Sequence, residues 1–121
     1  MIKIEGNNPA TEKEIELFLK NVNFKLPEGF IDFFKKQNGA SIWINDSYVD
    51  IWAIDKMFIL NEEYKVNEYA PNFFLFGSNG AGEAYAVEKK TGHIFEIPFV
   101  GMSKEEALRS SSINNFNDFL V

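Results

Sequence analysis

The 121-residue chain reads as a single α+β domain, with a mainly antiparallel central sheet and helices packed against it. Three observations predict this. Periodic stretches come in blocks: two helices, two strands, a short helical stretch, three strands and a closing helix, which is an α+β order. The run Phe73-Phe74-Leu75-Phe76 is apolar on both faces, as a strand inside a covered sheet must be. The composition is 45% hydrophobic with 13 Phe and no Cys. A domain of this size buries roughly two-thirds of its unfolded surface, so it needs no disulfide or metal for support. The expected domain runs from 1 to 121, with its core about 11–120.

The first helix follows Thr11, which sets up a capping box with Glu14. Ile15, Phe18, Leu19 and Val22 then form one apolar stripe. A second helix is expected to start near Pro27, where a missing N–H costs nothing. Glu28 suits its positive end. Phe30, Phe33 and Phe34 give its buried face, and Asn38-Gly39 ends it, Gly39 as a left-handed cap. Ser41–Ile44 and Tyr48–Trp52 read as a hairpin turning at Asn45-Asp46-Ser47. Residues 53–69 fit short helical pieces, and Pro71 resets the chain into the Phe73 strand. A turn with Gly77, Gly80 and Gly82 leads to the strand Glu83–Val87. Tyr85 and Val87 take one of its faces, Ala84 and Ala86 the other. After Lys89-Lys90-Thr91-Gly92 comes Ile94–Phe99, where Pro98 marks a strand end or a sheet edge. A loop from Gly101 leads to a last helix near Ile113–Leu120, with Ser112 as its N-cap.

Composition narrows the function. Residues Met1–Asn7 lack the apolar core of a signal peptide, and no apolar run approaches the ~20 residues that span a bilayer. A soluble, cytoplasmic protein without a membrane partner is expected. The net charge is −6, and Arg109 is the only arginine. Phosphate binding rests on Lys and Arg clusters, so nucleic acid is not an expected direct partner. A basic protein is a more natural one.

Catalytic signals are sparse. His93 is the only histidine and reads as a polar residue at a strand start. One His and no Cys fall short of a zinc site, and Ser78 does not sit in a Gly-x-Ser-x-Gly elbow. Gly77-x-x-Gly80-x-Gly82 fits neither phosphate-binding spacing and reads as a strand-connecting turn. No enzyme activity, no metal and no cofactor are expected.

One asymmetry stands out. Asp46, Asp50, Asp55, Glu62, Glu63 and Glu68 face only Lys56 and Lys65, so 23 residues carry −4 of the chain's −6. Trp43, Tyr48, Trp52, Tyr64 and Tyr69 lie within or beside them. Aromatics among carboxylates fit an interface for a basic protein. Core tryptophans beside solvated acids fit equally. The partner-binding residues expected on the first reading are Asp46, Tyr48, Asp55, Glu62 and Glu63. Asn79 and Glu83 on the glycine turn offer a second surface.

The pattern as a whole resembles the SUKH superfamily, named partly for a fungal regulator of cell-wall synthesis. Leu26-Pro27-x-x-Phe30-x-x-Phe33 followed by Asn38-Gly39 resembles its first signature. The glycine turn with Glu83-Ala84-Tyr85-Ala86-Val87 is similar to its central hairpin. Ile94–Met102, with Pro98-Phe99-Val100-Gly101-Met102, looks like its next strand and exit, and Asn115–Leu120 like its closing helix. Val87-Glu88 departs from it, since many members have Asp at the second position. The resemblance implies an α+β fold without catalytic residues. In bacteria it implies an immunity protein that binds and blocks a cognate toxin, often a nuclease. A regulatory scaffold without a toxin is the alternative. A third reading is an enzyme or small-ligand binder with a pocket near Ser78–Glu83 and His93. The oligomeric state stays open.

Overall fold

A computed structural model describes residues 2–108 and 112–120; residues 1, 109–111 and 121, the arginine at 109 among them, lie outside the described residues. Six antiparallel strands lie side by side in chain order: β1 (Ile2–Gly6), β2 (Ala40–Ile44), β3 (Ser47–Ile51), β4 (Phe73–Ser78), β5 (Glu83–Glu88) and β6 (Ile94–Pro98). The helices are α1 (Glu12–Asn21), α2 (Phe30–Lys36), α3 (Met57–Glu63), α4 (Val66–Tyr69), α5 (Lys104–Ala107) and α6 (Phe116–Phe119), with a 3-10 turn at Ile54–Lys56. The α+β architecture is the one the sequence predicts.

Local signals acted mostly as expected. Thr11 Oγ1 accepts from the Glu14 amide while Glu14 Oε1 accepts from the Thr11 amide, so both halves of the capping box form. Ile15 and Phe18 are buried, but Leu19 is 44% exposed, so the stripe is narrower than its periodicity. Phe30, Phe33 and Phe34 are all buried. The helix itself starts later than Pro27, because the Phe30 amide bonds back to the Pro27 carbonyl and left-handed Gly29 takes the N-cap. Its C-cap is Gln37 in extended backbone, so Gly39 does not cap it. Gly39 does have left-handed backbone, at φ 87°, and a side chain is excluded there in any case, since a Cβ would meet the Ile51 carbonyl at 2.6 Å. Asn115, not Ser112, caps α6, its Oδ1 accepting from the Asp118 amide at 2.8 Å. The N-cap oxygen must reach an amide of the first turn, and α6 starts at Phe116. Strand β1 and helix α5 were not expected.

β4 is the centre. Phe74 and Phe76 point to one face, in a cluster with Phe18, Phe30, Phe34 and Phe116 beneath α1, α2 and α6. Phe73 and Leu75 point to the other, with Ala84, Ala86, Val66 and Ala107 beneath α4 and α5. The small alanines of β5 make room for those helices. β3 touches β4 only briefly, at Asp50↔Ser78 and Ile51↔Gly77. There a side chain on Gly77 would collide with the Asp50 carbonyl. Beyond this the strands part and α3 fills the gap. Asn61 Nδ2 donates to the Leu75 carbonyl and Asn61 Oδ1 accepts from the Leu75 amide, both at 2.8 Å. One side chain thus stands in for a missing strand neighbour of a fully buried residue.

Candidate functional site

The register of β3 places the expected site residues. Asp50 lies opposite Ser78, so the β2–β3 turn and the glycine turn after β4 reach the same end of the sheet. The β2–β3 turn is two residues, Asn45 and Asp46, with Asn45 at φ 54°. Asn tolerates that left-handed backbone, and exposed Asp46 is presented beside it.

Tyr48 follows on β3. Its hydroxyl donates to Ser41 Oγ at 3.1 Å, and its ring lies 5.3 Å from that of Trp43. The same ring lies against Gly80, where a Cβ would approach it at 3.1 Å. Residues 79–83 are organised by Asn79: its Oδ1 accepts from the amides of Ala81 and Glu83, and its Nδ2 donates to Glu83 Oε1 at 2.9 Å. Asp46, Tyr48, Asn79 and Glu83 are therefore neighbours at one end of the sheet.

The other three are elsewhere. Asp55 leaves β3 at its far end and accepts from Asn38 Nδ2 at 2.9 Å. It rims a groove of about 520 Å³ between α1 and α3, floored by Leu17, Phe18, Ile54 and Phe58. Glu62 lines a second groove of about 590 Å³ with Lys65 and Lys89, and Glu63 is exposed on α3. The acidic window is one stretch of sequence but not one surface.

One face of the sheet connects the first group with only part of the acidic window. By alternation along the strands, Lys3 and Glu5 of β1, Ser41 and Trp43 of β2, and Tyr48 and Asp50 of β3 share one side of the sheet. α4 and α5 cover that side over β4–β6, where the second cluster lies, and leave it open over β1–β3. Burial pushes the Asp50 carboxyl above the usual carboxylate range, since a low-dielectric setting disfavours the charged form. At the border Trp52 stacks on Tyr64 at 6.0 Å, and Tyr64 meets Phe99 at 4.7 Å. Asp50, Trp43 and Tyr48 all belong to the acidic and aromatic window of the sequence, but which of its residues share a face follows only from the strand register.

The pocket expected near Ser78–Glu83 and His93 does not form as one site. Ser78 pairs with Ala84 at the start of β5, whereas the His93 carbonyl accepts from the Glu88 amide at its end. Four residues of strand separate the two, about 13 Å. Among the described residues no three His, Asp or Glu side chains gather as a metal site, and no helix is long and apolar enough to cross a membrane.

Residues 9–121 match the sequence profile of the SMI1 / KNR4 family (SUKH-1). No curated protein matches the chain.

Proposed function

The chain belongs to the SMI1 / KNR4 family (SUKH-1), and from that premise we propose that it is a non-catalytic, protein-binding immunity protein that neutralises a cognate bacterial toxin in the cytoplasm by direct contact. The observation that carries the reading is the open sheet face, where Trp43 and Tyr48 stand beside Asp50 and the acidic turn residue Asp46. Rigid aromatics in a half-covered setting make good anchors, and surrounding acids steer a basic partner. The protein would act by covering the toxin's active site or substrate groove, with the Asn79–Glu83 turn at the rim.

The test uses the product of a toxin-like gene adjacent to this one. Co-expression should restore growth, and the purified pair should bind directly. Asp46→Lys should slow association more than Glu62→Lys/Glu63→Lys, although the double variant changes more charge, because Glu62 and Glu63 lie away from the face. Failure of rescue and binding together would remove the immunity reading. Binding with the opposite ranking would keep it and move the surface to α3.

A further inference from the structure

The outer edge of β1 carries a second interaction surface. The Asn7 amide donates to the Gly39 carbonyl at 3.1 Å, one step beyond the Gly6↔Ala40 pair. Hydrogen-bonded partners alternate along an antiparallel pair. Lys3 and Glu5 therefore bond to β2, and the amides and carbonyls of Ile2, Ile4 and Gly6 point outward. Among the described residues no strand lies on that side. The side chains are as open as the backbone. Ile2 and Ile4 are 56% and 52% exposed on one face, and Lys3 and Glu5 are exposed on the other, 3.3 Å apart.

We propose that this edge joins a second copy of the chain, β1 against β1, antiparallel about a two-fold axis through Ile4. The charge pattern is complementary only in that register. With the axis at Ile4, Lys3 faces Glu5 of the second copy and Glu5 faces its Lys3, while Ile4 faces Ile4 and Ile2 faces Gly6. Moving the axis to Lys3 sets lysine against lysine, and moving it to Glu5 sets glutamate against glutamate. Half-steps put apolar side chains on the charged face. Opposite charges across a strand pair are favourable and like charges unfavourable, and a two-fold interface must be complementary to itself. The backbone agrees. Residues 2, 4 and 6 are the ones with outward groups, and they are the ones that this register sets opposite one another. The pairing joins the two sheets into one and sets both Trp43–Tyr48 faces on the same side, with Lys3 Nζ 5.4 Å from the Trp43 ring at the seam.

Five residues of strand pairing bury little surface, so the dimer is weak, with a Kd in the micromolar to hundred-micromolar range. Sedimentation equilibrium of the full chain from about 1 µM to 1 mM spans that range. The wild type should dimerise. Lys3→Glu should weaken association at least about tenfold, and Lys3→Glu/Glu5→Lys should restore it, since the swap keeps complementarity. Ile4→Pro should abolish dimerisation with an unchanged thermal melt, because it deletes an outward amide and no bond to β2. A wild type that stays monomeric to about 1 mM overturns the proposal; Lys3 is then a guard against edge pairing. A dimer indifferent to Lys3→Glu overturns it as well.

Discussion

Phe73 and Phe74 are neighbours in β4, and both are buried, one on each face of the sheet. Lys3 and Ile4 are neighbours in β1, and both are exposed. Between these extremes the sheet changes character. β4–β6 have helices on both sides, whereas β2 and β3 are covered on one side only and β1 lies bare at the edge. The covered half holds the fold together and offers a partner little. The open half presents aromatic and acidic side chains on strands whose other face packs into the core. The seam is the short β3–β4 contact, where Asn61 replaces the ladder. On the proposed function, such a division would separate the residues that set stability from those that set binding, and substitutions can test it.

The largest effect belongs to the centre. Phe76 is fully buried and packs against Phe30, Phe116 and Phe119. Phe76→Ala should cost about 3–5 kcal/mol, the usual range for a buried ring left as a cavity. Urea unfolding measures it. A loss below about 1 kcal/mol would contradict the role of β4 as the core strand.

Next comes the seam. Asn61→Ala leaves the Leu75 amide and carbonyl without partners in a buried strand. Each orphaned group costs about 1–3 kcal/mol, so a loss of about 2–3 kcal/mol is expected once partial relaxation is allowed for. The Leu75 amide should also lose protection in hydrogen exchange. Unchanged exchange there would mean that the Leu75 backbone is held by something other than this side chain.

The open half should respond in the opposite sense. Trp43→Ala removes a half-exposed ring from a face with no helix above it, so stability should fall by less than about 1 kcal/mol. Binding to the partner should weaken by about 2 kcal/mol, roughly thirtyfold, as for an aromatic anchor. Calorimetry of folding and of binding on one preparation separates the two. A stability loss as large as that of Phe76→Ala would erase the division between the halves.

The same division explains which features were legible in the sequence. β4 announced itself because a strand covered on both faces is apolar at every position. The alternation in β5 was just as clear, with Tyr85 and Val87 in one cluster and Ala84 and Ala86 in the other. β1 gave no such signal. Ile2-Lys3-Ile4-Glu5 does alternate, but all of it is exposed, and only pairing with a strand almost forty residues away makes it a strand. The site was legible in part. Asp46, Tyr48, Asn79 and Glu83 could each be singled out by residue type, but their adjacency depends on the register of β3 against β4, which no local pattern encodes. Counting charge along the chain merged Asp55, Glu62 and Glu63 with them, because neighbours in sequence part company where β3 ends.

The smallest expected effect tests whether the open half accepts a stability cost for binding. Asp50 sits on the open face between Ser41 and Ser78 of the flanking strands, and burial raises its pKa above the ordinary aspartate value of 3.8. A carboxyl with a raised folded pKa binds its proton more tightly in the folded state than in the unfolded one. Between 3.8 and the raised value, folding takes up a proton, so stability falls as pH rises through that window and stays lower above it. Asp50→Asn removes the titration. Its unfolding free energy should therefore match the wild type below pH 3.8 and exceed it slightly at neutral pH, with the gap opening across the window. Binding should move the other way. A basic partner group placed over the face would pair with the ionised carboxylate, and the amide offers it no charge. Urea unfolding at a series of pH values, paired with association measurements at neutral pH, reads both signs. A variant that is more stable and binds less tightly is the signature of a carboxylate kept for contact rather than for folding. A variant that is more stable and binds equally well would take Asp50 out of the interface and confine the partner to the Asp46 and Asn79–Glu83 end of the sheet.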